Sequence, residues 1–149
     1  MIEAFDYAMD RSMEHWRKQS DQVAPEKQLP QIVETYLSTV HRDNPGHGCS
    51  IPALGAEIAR ESPKTRKAFA GKLDEMIEMM TDFIPNLPRK AARKQAIATL
   101  ATMAGTMLLA RIAGSSELSD EVLKTGKDSA LDGAKREPKV TAAKKPKQS

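Results

Sequence analysis

Aromatic side chains are nearly missing from this chain, with one Trp, two Tyr and three Phe in 149 residues. Strands draw on aromatic and β-branched residues, so this shortage, beside plentiful Ala, Leu, Ile and Met, predicts helices rather than sheets. Only one cysteine is present. That excludes an intramolecular disulfide framework and suits a reducing cytoplasm. Also absent are a Gly-rich phosphate loop, a nucleophile elbow and a paired-histidine metal helix. No catalytic residue, cofactor or metal site is therefore assigned, and the chain is not expected to be an enzyme. The start is acidic and amphipathic rather than basic and then apolar, so it does not read as a secretory leader. The most apolar stretch, residues 96–110, contains three Thr and is too short to span a bilayer. A cytoplasmic protein without membrane association is expected.

The formal net charge of +3 is unevenly spread. Residues 135–149 carry six basic side chains against Glu137 alone, so the tail supplies +5 and the body stands at −2. A basic face for reading nucleic acid is not evident in the body. The tail lacks aromatic interleaving and apolar periodicity, which predicts a disordered basic tail over 134–149 after a helical domain over 1–133.

Apolar spacing predicts about six helices and no strand. The first, over 2–20, puts Ile2, Phe5, Met9, Met13 and Trp16 on one face. The second, over 29–41, carries Leu29, Ile32, Val33, Tyr36, Leu37 and Val40, with Pro30 tolerated in its first turn. Asn44-Pro45-Gly46 then breaks the chain. A short third helix over 51–60 turns Ile51, Leu54 and Ile58 inward, with Ser50 as its N-cap. The fourth, over 63–83, is capped by Ser62 and repeats Phe69, Leu73, Met76, Ile77, Met80 and Ile84. Asp74, Glu75, Glu78 and Asp82 fall on its solvent side as a charged outer face. The fifth, over 88–113, starts basic and is then apolar nearly all round. The sixth begins at Ser116 or Ser119 and ends near Leu131, with Gly133 as its C-terminal cap.

A helix apolar on every side has to be covered on most of them, which one small protomer cannot do alone. We therefore assign Ala101, Thr102, Gly105, Leu108, Ile112, Leu118 and Val122 to a homodimer interface, in which the last two helices pair with their copies into a four-helix bundle. Burial of roughly 800 Å² per partner suffices for such a contact. Methionine is abundant, and unbranched thioethers repack around different shapes. Met9, Met13, Trp16, Tyr36, Cys49, Met76 and Met80 are the candidate lining of a pocket for a small apolar or aromatic effector, against the alternative that each Met is ordinary core. Cys49 with His41 and His47 gives a weak metal or thiol signal, and a structural cysteine at a helix start fits it better.

Four segments carry a family resemblance. They are His41-Arg42-Asp43-Asn44-Pro45-Gly46-His47-Gly48-Cys49-Ser50-Ile51-Pro52-Ala53-Leu54-Gly55-Ala56-Glu57, the stretch Ala59 to Phe69, the run Gly105 to Arg111, and Glu117 to Leu123. Over roughly residues 1–131 the chain resembles the C-terminal domain of TetR-family transcriptional regulators. The resemblance implies an all-α, orthogonal helical bundle that binds an effector and dimerises through its last two long helices. It also implies that a DNA-binding helix-turn-helix unit is missing in front of Met1. DNA would be reached only through that unit, and negligible sequence-specific DNA binding is expected of the chain itself. The alternative is a stand-alone helical interaction or small-molecule carrier protein.

Overall fold

The computed structural model describes residues 2–135. Among these are seven α-helices and no strand. The helices are α1 (Ile2–Ser20), α2 (Pro25–Tyr36), α3 (Thr39–Asp43), α4 (Ser50–Ile58), α5 (Pro63–Asp82), α6 (Arg89–Ala113) and α7 (Glu117–Lys135), with one turn of 3-10 helix at Pro45–His47. The predicted basic tail over 134–149 begins inside α7, which runs to Lys135, and the rest of it lies outside the described residues. Helix α7 runs through Gly133, so that glycine does not end it as expected.

The largest departure from the periodicity falls at residues 37–38. The stripe predicts one helix over 29–41, but the chain stops at Tyr36 and restarts at Thr39. The Ser38 hydroxyl accepts from the His41 N–H and caps the restart. The break rotates Val40 out of the stripe, and it is 73% exposed. Helix α2 also starts earlier than expected, with Pro25 in its first turn and Pro30 inside the helix. Pro30 has no N–H for the Glu26 carbonyl, and the exposed site leaves that oxygen to water. Cys49, rather than Ser50, holds the N-cap position of α4. Leu54 and Leu73, predicted inward, are exposed. Ser62 caps α5 as expected, accepting from Thr65 N–H. Ser116 accepts from Ser119 N–H at the start of α7.

Helix α6 is central and packs against α3, α4, α5 and α7. Helix α1 crosses α2, α4 and α5 on the other side, and α2 also meets α7. The core between them is methionine-rich: Met9, Met76, Met80, Met103 and Met107 are fully buried, beside Ile32, Val33 and Leu37. Phe5 and Phe69 join α1 to α5 edge-to-face at 4.3 Å. Full burial of such side chains contributes about 1.5–3 kcal/mol each. The carboxylates of α5 serve as more than a solvated face. Arg89 pairs with Glu78 and Asp82, and Arg93 with Asp74 and Glu78. The basic start of α6 is thereby neutralised by the helix it packs on.

Two glycines permit close approach. A Cβ on Gly126 would collide with Thr106, so α7 lies directly on α6 there. A Cβ on Gly48 would collide with the His41 ring. By length and composition α6 could cross a membrane, its most apolar 18-residue window having a mean hydropathy of 1.6. It is therefore longer than the apolar stretch singled out in the sequence, and its buried side is already occupied by α5 and α7.

Candidate functional site

Helix α1, the end of α2 and the loop through the 3-10 turn line a half-open cavity of about 860 Å³. Helix α1 presents Tyr7, Ala8, Arg11, Ser12, His15 and Trp16. The facing wall consists of Thr35, Tyr36, Ser38, Val40 and His41, followed by Asn44, Gly46, His47, Gly48 and Cys49. The wall follows the break in α2 at residues 37–38, after which Val40 leaves the buried stripe and His41 folds back on Tyr36.

His41 organises that wall. Its Nε2 accepts from the Cys49 backbone N–H at 3.2 Å, so Nδ1 must be the protonated nitrogen and donate to the Tyr36 carbonyl at 2.7 Å. Both ring nitrogens are thereby used by the backbone. Burial holds the imidazole below its ordinary pKa, and the positive charge of Arg111 adds to the effect. The His41 ring packs edge-to-face on Tyr36 at 4.4 Å, and Tyr36 in turn on Trp16 at 5.8 Å. Burial, with Cys49 beside it, keeps the Tyr36 phenol well above its usual pKa and so protonated. Its hydroxyl has no hydrogen-bond partner among the described residues. Burial likewise pushes the Cys49 thiol up, away from the thiolate that metal binding or nucleophilic attack requires. His41 offers no free nitrogen, and no group of three candidate metal ligands occurs among the described residues.

Of the residues assigned to the pocket from sequence, Trp16, Tyr36 and Cys49 line this cavity. Met9, Met13, Met76 and Met80 do not: they are buried in the core, on the faces of α1 and α5 that meet each other. Their apolar stripe places them there, since the cavity lies along the adjoining edge of α1. That edge was not singled out in the sequence. Its signal is the four-residue step Tyr7, Arg11, His15, with Ala8, Ser12 and Trp16 beside it.

The residues assigned to a dimer interface are mostly exposed. Ala101, Gly105, Leu108 and Ile112 are exposed along α6, together with Ile97 and Leu109. Leu118 of α7 is exposed as well, while Thr102 and Val122 are half-buried. Ile112 is 74% exposed and Leu118 58%. A soluble monomer seldom shows so many large apolar side chains on one face.

Two arginines connect the cavity wall to these helices. Arg42 of α3 donates to Ser119 at 3.1 Å and Asp120 at 3.0 Å, at the start of α7. Arg111 of α6 donates to the backbone carbonyls of His41 and Arg42.

The family model for the C-terminal domain of LmrA/YxaF-like transcriptional regulators, a TetR-type domain, matches residues 25–124. The chain therefore belongs to the TetR family of transcriptional regulators, within that C-terminal domain group. At family level this is a regulatory ligand-sensing and dimerisation domain, not an enzyme family, and such regulators are soluble cytoplasmic proteins. No curated protein matches the chain.

Proposed function

We propose that this chain is the effector-sensing, homodimerising part of a repressor-type TetR regulator. The effector occupies the cavity between α1 and the Tyr36–Cys49 wall, and the partner copy covers α6 and the start of α7. DNA contact comes from a helix-turn-helix unit outside these residues, which movement of α1 would reposition.

The observation that carries the reading is the bare apolar stripe Ile97, Leu108, Leu109 and Ile112, with Ala101 and Gly105 between its members. Large side chains supply area and small ones let a second backbone approach, which suits a two-fold helix pair. Arg42 and Arg111 support a link from cavity to interface, since each spans from the cavity wall to one of the interface helices.

Light scattering on the eluting protein tests the dimer. The chain should run at twice its monomer mass at tens of micromolar, and Ile112→Glu should reduce it to the monomer by burying a charge in the contact. A wild-type monomer at that concentration would overturn the reading.

A further inference from the structure

Among the lining residues of the cavity, Arg11 is the one formally charged side chain. All three histidines of the chain, His15, His41 and His47, stand with it on the cavity wall. Among the described residues no aspartate or glutamate lines it, although the body of the chain is net acidic. Arg11 forms no ion pair among the described residues. It lies over the Tyr7 ring at 5.8 Å, while neighbouring Glu14 is paired with Lys18. Behind the wall, Arg111 adds a further cation against His41. The apolar part of the lining is aromatic, with Tyr7, Trp16 and Tyr36. Within it lies the buried Tyr36 hydroxyl, which has the Cys49 thiol beside it and no oxygen or nitrogen acceptor among the described residues. A buried donor without such an acceptor is costly, and the acceptor it lacks fits the sign of the surrounding charge.

Resting on the effector-cavity reading above, we propose that the cavity takes a planar aromatic anion, a carboxylate or phenolate. Its ring lies against Trp16, and its charge is held by Arg11, with the ring N–H groups of His15 and His47 on the same wall. The Tyr36 hydroxyl is the buried donor to its oxygen. Methionine-rich repacking sets no such preference, because the core methionines lie elsewhere.

Three probes of one shape separate charge from size: 2-naphthoate, the neutral 2-naphthamide and the cationic 2-naphthylmethylammonium. Each is titrated into the full chain by calorimetry, and the single indole N–H resonance of Trp16 reports whether the cavity is the site. The naphthoate should bind about tenfold more tightly than the amide, with the ammonium weakest. Arg11→Gln, an exposed change, should remove most of that preference for the anion over the amide. Tyr36→Phe should weaken naphthoate about fivefold without changing its stoichiometry. Equal or tighter binding of the amide or the ammonium, with the Trp16 resonance moving, overturns the anion inference and leaves the effector cavity standing. A Trp16 resonance that none of the three moves overturns both.

Discussion

Arg111 of α6 donates from Nη2 to the backbone carbonyl of His41 at 2.9 Å. A helix of the exposed apolar face thereby holds the residue that orders the cavity wall. The same guanidinium reaches the Arg42 carbonyl at 3.3 Å, so two successive peptide oxygens of α3 are satisfied from one side chain. Arg111→Met keeps the length of the side chain and removes the donors. Hydrogen bonds to charged groups contribute about 1.5–3 kcal/mol, and at this partly buried site about 2 kcal/mol should be lost. Thermal unfolding should fall by roughly 4–8 °C. An unchanged melting temperature would mean that the wall is held elsewhere.

Acidification should loosen the same wall. His41 is neutral when folded because burial depresses its pKa and because a second ring proton would face the Cys49 N–H. The unfolded chain takes up that proton near the ordinary value of about 6.5. The unfolded state therefore binds more protons below that value, and stability is lost as pH falls from there toward the lower folded value. Chemical denaturation from about pH 7.5 to about pH 5.5 should show the decline in wild type and a flatter profile in His41→Asn. Parallel profiles would assign the titration to other groups. The carboxylates held low by arginine, such as Asp43 beside Arg42 and Glu78 beside Arg89, act in a more acidic window.

Gly48 owes its identity to crowding rather than to backbone shape. Its φ of −97° is open to any residue, but a Cβ would run into His41 Nε2 and Cδ2. Gly48→Ala should cost about 1–3 kcal/mol, as overpacking does elsewhere. It should also weaken any ligand that contacts the Tyr36–Cys49 wall. Gly46, two residues earlier, has open space around it. Gly46→Ala serves as the control for crowding and should be nearly silent in the same melting assay.

The core methionines should be separable from ligand binding. Met76 is fully buried between helices and absent from the cavity lining. Met76→Leu nearly conserves volume, so its cost should stay below about 1.5 kcal/mol. Probe affinity measured by calorimetry should not move. A large affinity change would place the binding volume deeper, among the methionines.

The helices were legible because their stripes are long. Phe5, Met9, Met13 and Trp16 on α1, and Phe69, Met76 and Met80 on α5, repeat at helical spacing and are buried. The bare face of α6 was legible for the complementary reason, since Ile97, Leu108 and Ile112 leave it no polar side. The cavity was not. Its wall depends on a two-residue interruption at Leu37 and Ser38, where both residues are compatible with a continuing helix. Only the tertiary contacts of His41 with Tyr36, Cys49 and Arg111 decide for the break. The methionine stripe at helical spacing records what is buried and not whether a void lies beside it.

The bare backbone at Gly126 leaves Thr106 nowhere to go along the axis of its neighbour. Sliding of α7 past α6 is thus blocked like a bolt in its socket. A displacement of α6 would then draw α7 along with it.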